Sequence, residues 1–446
     1  MEWTRREFIS QMGIAAIAAA VPFERAIPQT RSGVNSSDRV IICNEDSNTL
    51  SVINPNTNSV AATINLTSFD EDPRPPFRLV TGGVTPTHGA MVTKPLYHGA
   101  INIHGAAPSP DNRLLACTGR GTSNIYLIDL ESMKVIGNTP NPQAGDQTNP
   151  ERLTSGILVG REPHEPTFTR NGKELWVTVR GENRRKESQG GVSARAVRHH
   201  YSSLNGPAQV WFSADGRLAF AISQKNSQVE VIETNFGRDG YSRPKRRAII
   251  DINAQDPFGF TPFEKTTPDG KEIWLSHKLA DSVSAWSVRA ELQLLDTVSL
   301  GKMARPNHVE FVENSNGKVI YASLARVDDG GPGGVASSQI AIIDRSAAAG
   351  ARKVVGTFFS HGREAHGLWT NPENTMLYSA HEQDELPNTP NSGQTVCSAF
   401  DVSDPLKPNF IAQIPLGELS LPSGKLRNKK SINLVYVRPG ARSQTA

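Results

Sequence analysis

The chain has 446 residues with 47 basic and 44 acidic side chains, a formal charge of +3. That balance excludes a nucleic-acid partner held by bulk positive charge, and no apolar run is long enough to span a membrane as a mature helix. Its three cysteines, Cys43, Cys117 and Cys397, have no close spacing. They form no disulfide framework and no haem-attachment motif, and their setting in apolar strand patterns reads as small buried hydrophobes.

In chain order, the first element is an address. Thr4-Arg5-Arg6-Glu7-Phe8-Ile9 precedes a mild, alanine-rich apolar stretch from Gly13 to Val21. Residues 1–26 therefore resemble a twin-arginine signal peptide, with cleavage after Ala20 or Ala26, which implies a periplasmic or secreted protein.

From residue 38 to 439 the sequence repeats. Asn171-Gly172, Asp215-Gly216, Asp269-Gly270 and Asn316-Gly317 each sit just before an alternating apolar run, such as Leu175–Val179 or Leu218–Ala221. Such pairs favour tight hairpins because both central positions tolerate positive φ. Third strands follow, including Ile125–Asp129, Gln228–Glu233, Gln339–Asp344 and Val396–Asp401, and then a short outer strand such as Lys353–Phe358. Four short antiparallel strands recurring every 40 to 60 residues or so are the pattern of propeller blades.

Seven units are counted if the two ends of the chain share one. The first, from Arg39 to Leu66, lacks an inner strand, and Ser431 to Pro439 reads as an inner strand with nothing after it. The expected fold is thus an all-β, seven-bladed β-propeller of four-stranded blades, its ring closed by pairing of the N- and C-terminal strands, with residues 440–446 as a tail. Residues 184–203 depart from the repeat, so the outer half of the third blade is open to question.

The segment Arg39–Ile64 and the recurring Pro-x-x-x-x-x-[Ser/Thr]-x-[Asp/Asn]-Gly hairpins resemble the YVTN family of β-propeller repeat proteins. The resemblance covers nearly all of 38–439. It implies a fold rather than an activity, because propellers host many chemistries.

The polar chemistry collects on histidine. His104, His164, His308 and His366 enter the expected inner strands of blades two, three, six and seven, and Ala208, Pro262 and Asn433 take the matching places elsewhere. In a closed ring these four side chains point to the mouth of one channel. His277 and His381 open loops on the same face, the 67–103 connection brings His88 and His98 there, and His361 also reaches it. Two long loops, Arg326–Val335 and His381–Gly393, belong to that face as well.

Neutral imidazoles converging from separate strands bind borderline metals, copper or zinc, better than calcium or magnesium. The expected site is a transition-metal centre, copper first, with His104, His164, His308 and His366 as ligands and His88, His277 or His381 beside them, in a redox or metal-handling role. A four-histidine propeller site is similar to that of nitrous oxide reductase, but this chain has no adjacent His-His pair at the first position and no cupredoxin domain. Arg120, Arg180 and Lys225 begin loops on the same face and are candidates for an anionic cofactor, as in the haem-binding propellers of nitrite reductases. Seven-bladed lactonases share the fold, yet no acidic constellation of theirs is matched.

The competing expectation is a non-catalytic cell-envelope scaffold for a protein, glycan or haem-like ligand. Repeats can copy a turn histidine without function, and in that case the histidines are incidental.

Overall fold

A computed structural model describes residues 33–66, 101–120, 124–136, 157–159, 162–180, 201–288, 292–421, 424–426 and 430–443. Residues 1–26, expected to be a signal peptide, the connection holding His88 and His98, and His199 and His200 lie outside the described residues.

The described chain is almost entirely β-strand. Arg39–Asn44 (β1), Thr49–Asn54 (β2) and Ser59–Asn65 (β3) form the first unit. Ile103–Pro108 (β4), Leu114–Gly119 (β5), Asn124–Asp129 (β6) and Lys134–Val135 (β7) form the second, with Ile157–Leu158 (β8) also on β6. Pro163–Phe168 (β9) and Leu175–Val179 (β10) follow. Pro207–Phe212 (β11), Leu218–Ser223 (β12), Gln228–Glu233 (β13) and Lys245–Asp251 (β14) make the fourth unit. Phe263–Thr266 (β15), Glu272–His277 (β16), Ser282–Val288 (β17) and Leu292–Ser299 (β18) make the fifth. The sixth is Pro306–Asn314 (β19), Gly317–Asp328 (β20), Ser337–Asp344 (β21) and Val354–Phe359 (β22). The seventh is Arg363–Thr370 (β23), Met376–Gln383 (β24), Val396–Asp401 (β25) and Asn409–Pro415 (β26). A hairpin of Leu419–Leu421 (β27) and Gly424–Leu426 (β28) leads to Ser431–Val437 (β29).

Six of these units are antiparallel sheets of four or five strands, the blades of a β-propeller. The third unit shows two strands only, β9 with β10. The expectation of seven four-stranded blades in a closed ring is corrected accordingly: the described residues give six blades and no closed ring of seven. The outer half of the third blade, which the sequence leaves open at residues 184–203, falls largely outside the described residues.

The two ends of the chain do share a blade. β29 pairs antiparallel with β1, from Arg39 opposite Val437 to Asn44 opposite Ser431. Fully buried Asp38 ties this seam, accepting from the Tyr436 hydroxyl at 2.5 Å and from Arg438 Nε and Nη2, both at 2.8 Å.

Hairpin chemistry sets the blade geometry. Ser213 donates to Asp215 at 2.7 Å and Thr267 to Asp269 at 2.6 Å, each hydroxyl accepting in turn from the strand beyond. Gly216 and Gly270 then take φ of 68° and 67°, where a Cβ is penalised. Valine, isoleucine and aromatic side chains fill the space between sheets, and Cys43, Cys117 and Cys397 are free thiols buried among them. No helix among the described residues is long and apolar enough to cross a membrane.

Asp38→Ala leaves the Arg438 guanidinium and the Tyr436 hydroxyl without their shared acceptor, and should cost roughly 3–5 kcal/mol in urea unfolding. The exposed pair of Lys271 with Asp269 sets the comparison: Lys271→Ala should stay within about 1 kcal/mol of the unchanged protein.

Candidate functional site

A repeated hydroxyl staple aligns the inner strands. Thr118 on β5 accepts from the Gly105 N–H and donates to the His164 carbonyl, both at 2.8 Å. Thr178 on β10 does the same between Glu165 N–H and the Ala208 carbonyl. Ser323 on β20 accepts from His308 N–H and donates to the His366 carbonyl, and Ser276 on β16 donates to the Asn307 carbonyl.

These staples define which residues are equivalent. His164, Ala208, Asn307 and His366 share one register, each offering its carbonyl to the preceding blade. His104 joins it by its place one residue before Gly105. His308 stands one residue further on, at the register of Gly105 and Glu165. The C-terminal strand brings Ile432, not Asn433, to the histidine register: a Cβ on Gly367 would meet Ile432 O at 2.9 Å, as one on Gly105 would meet His164 O at 2.3 Å. A β-bulge in each of β4, β19 and β23 at this level re-aims the side chains.

Four histidines therefore resolve into two pairs. His104 and His164 face each other with Nε2 atoms 3.0 Å apart. His308 stacks on Phe263 with ring centroids 3.9 Å apart and tilts against His366 at 4.9 Å. His366 Nε2 lies 3.2 Å from Glu382 Oε1. Among the described residues, the group of histidine, cysteine and acidic side chains whose donor atoms converge is His104, His164 and Glu165, all within 4.8 Å of one another.

The hydrogen bonds of the first pair dictate its tautomers. His164 Nδ1 is 2.7 Å from the Ala208 carbonyl, which only accepts, so that nitrogen carries the proton. His104 Nδ1 is 2.6 Å from Glu45 Oε1. Burial raises the Glu45 carboxyl, but Lys430 at 2.6 Å, His104 and Arg120 at 3.0 Å together hold it well below its ordinary range. Glu45 is thus an anion, and His104 Nδ1 donates to it.

Neither ring takes a second proton. Burial, then the Arg120 guanidinium, lowers the His104 imidazole to about 3 in spite of Glu45. Burial, then His104, Arg180 and Arg120, holds His164 well below its usual value. Both Nε2 lone pairs consequently point at one another across 3.0 Å. Glu165 lies beside them, Oε1 3.9 Å from His104 Nε2, while its Oε2 accepts from Asn433 Nδ2. Burial raises its carboxyl well above the usual range. Below, a cavity of about 10 Å3, room for a single water, is lined by Glu165, Gln209, Phe263, Trp369 and Asn433.

Around this mouth runs a second register, the residue that ends each second strand's pairing. Arg120 N–H donates to Asn102 O, Arg180 to Glu162 O, Gln224 to Gly206 O and Lys278 to Phe260 O, with Glu45 in the first blade donating to Lys430 O. Glu382 follows His381, which pairs with Ala365, and so takes the same place in the seventh. Lys225, one residue past Gln224, is exposed. Lys278 and the carboxylates Glu45 and Glu382 carry no motif in the sequence, and their shared register was the signal that could have found them; Glu165 follows His164 directly on the inner strand.

The other expected histidines have occupied rings. His277 Nδ1 and Nε2 meet Thr261 and Ser284 hydroxyls at 2.9 and 2.7 Å, and burial lowers it to about 3. His381 donates from Nδ1 to Val396 O and meets the Ser360 hydroxyl with Nε2, both at 3.0 Å. His361 stacks on Phe410 at 3.6 Å.

No protein-family model matches the chain, and no curated protein matches it in sequence. Solved structures do share its fold. A functionally unknown protein from Desulfotomaculum acetoxidans DSM 771 aligns with a TM-score of 0.54 at 10% identity, over 90% of this chain and 99% of that one. A putative 6-phosphogluconolactonase from Bacteroides uniformis ATCC 8492 aligns at 0.55 and 14% identity, over 90% and 99%. The periplasmic gluconolactonase of Pseudomonas aeruginosa aligns at 0.52 and 12%, again over 90% and 99%. This chain is a β-propeller. At such identities the likeness speaks for the fold and leaves the chemistry to the residues.

Gly105 keeps β4 and β9 close, since a Cβ there would stand 2.3 Å from the His164 carbonyl and 2.6 Å from the Glu165 carboxylate. Gly105→Ala should lower stability by roughly 1–3 kcal/mol in urea titration. Gly330, with nothing near its Cβ position, should accept alanine within about 0.5 kcal/mol.

Proposed function

We propose that this β-propeller binds one divalent transition-metal ion between His104 and His164, with Glu165 as third donor, and serves a redox or metal-handling role. The observation that carries the reading is the 3.0 Å contact between two unprotonated Nε2 atoms in a buried setting. No hydrogen bond forms between two lone pairs, so the arrangement is unfavourable until a cation sits at their convergence.

The surroundings support the same reading. Metal-bound histidines characteristically donate their other ring N–H to a carboxylate or a backbone carbonyl. Glu45 and Ala208 O are those acceptors here. Two nitrogens 3.0 Å apart subtend an angle of about 90–95° at an ion about 2.0–2.1 Å from each. That bite suits tetragonal or octahedral coordination better than tetrahedral, and nitrogen with carboxylate oxygen in a tetragonal arrangement favours copper(II), with zinc second. His308 and His366 share the mouth and act on the ion through their field, not as its ligands. Copper remains the first candidate on this donor set rather than on four imidazoles. The same reading takes the chain as a YVTN-type repeat protein, exported by the twin-arginine route to the periplasm or beyond. A scaffold without an ion would leave the lone-pair contact unexplained.

The test is calorimetric titration of chelator-treated protein with copper(II) and with zinc. Saturation at one ion per chain is expected, weakened at least about 100-fold by His104→Ala with His164→Ala, and about 10- to 100-fold by Glu45→Gln, which removes the charge behind His104. His361→Ala should leave affinity unchanged. Uptake by the double variant equal to that of the unchanged protein contradicts the proposal.

A further inference from the structure

We infer that the mouth above the histidine pair is a clamp for a small molecule bearing an oxyanion, a carboxylate or a phosphate, held by Arg180, Arg120 and Lys278. Its location over the ion rests on the metal reading above; the clamp itself does not.

Arg180 is the key observation. Its Nε is buried without a hydrogen-bond partner, and nothing among the described residues pairs with the rest of the guanidinium. A guanidinium offers five donors in a planar fork that fits two oxygens of one anion side by side. Burial, then the like charge of Arg120, lowers Arg180 to about 10 against the opposing pull of Glu162 and Glu45, so it stays a cation near neutral pH. A half-buried guanidinium whose Nε is shielded from water and unpaired gains from a ligand that supplies the missing acceptor.

Its neighbours point the same way. Arg120 spends Nη1 on Glu45 at 3.0 Å, but its Nε is also buried and unpartnered. Lys278, at the equivalent register across the mouth, is half-buried, and its charge is felt by His308, His366 and Glu382. Among the described residues it forms no ion pair. Glu45 is already engaged by Arg120, Lys430 and His104. The positive charges not tied to Glu45 are therefore Arg180 and Lys278, which hold the same register in the third and fifth units. Arg120 Nη1 lies 3.4 Å from His104 Nδ1, and Arg180 and Arg120 both act on His164, which sets an anion clamped there close to the histidine pair. An oxygen or neighbouring group of that molecule would then face the open positions of the ion.

Titration of metal-free protein with inorganic phosphate and, separately, with succinate tests the clamp without the metal. Saturable binding of at least one is expected, weakened about tenfold or more by Arg180→Gln and also by Lys278→Met, the second variant guarding against a folding defect in the first. Arg217→Ala, an exposed arginine far along the fourth unit, should change nothing. Phosphate alone, or succinate alone, assigns the anion class. No saturable binding of either probe, or unchanged binding in both variants, overturns the clamp. A clamp that binds in protein unable to take up copper leaves the clamp standing and removes the metal reading. In copper-loaded protein the bound probe should also perturb the copper spectrum; an unperturbed spectrum overturns the location over the ion.

Discussion

Two imidazole nitrogens with their lone pairs facing across 3.0 Å repel each other, and the rest of the site exists to hold them so. Each ring is pinned through its other nitrogen by a group that can only accept, the Glu45 carboxylate and the Ala208 carbonyl. Glu45 can serve because Arg120 and Lys430 keep it ionised in a buried position. Remove that support and His104 is free to change tautomer and donate from Nε2 to His164, which would turn the contact into an ordinary hydrogen bond and abolish the facing lone pairs.

The fold supplies the precision. Inner strands of successive blades are joined by Thr118, Thr178, Ser276 and Ser323 hydroxyls to the carbonyls of the next blade, so the histidine register is fixed by backbone rather than by flexible loops. Gly105 lets β4 approach β9 where a side chain would collide. Deeper in the molecule Lys265 donates to both Glu310 oxygens at 2.9 and 2.7 Å and lies 4.2 Å from the Trp369 ring centroid. Arg180 Nε, by contrast, is buried without a partner, and the facing Nε2 atoms of His104 and His164 have no proton to share.

Much of the architecture was legible because its signals are local. The Ser213-to-Asp215 turn and its equivalents are written in three or four consecutive residues, and the alternating runs that follow them need no knowledge of the partner strand. The shared terminal blade was legible from an inner strand missing at one end and supernumerary at the other. The third unit was not, since residues 184–203 carry no alternation. Nor was the split of the histidines: Pro306 pairs as Ile103 and Ala365 do, ahead of the same bulge, so Asn307 takes the register of His104 and His366 and His308 stands one residue further on. Glu45 escaped notice because its importance lies in which nitrogen of His104 holds a proton, and Glu165 because its importance lies in its approach to His104 Nε2, both properties of the folded geometry with no sequence motif. Lys278 and Gln224, rather than Lys225, share the register of Arg120 and Arg180 for the same reason.

The most direct measurement is the electron paramagnetic resonance spectrum of the protein loaded with copper(II), with hyperfine resolution of the coordinated nitrogens. The account predicts a single tetragonal centre coupled to two imidazole nitrogens, those of His104 and His164. Coupling to four imidazoles, or to none, would contradict it.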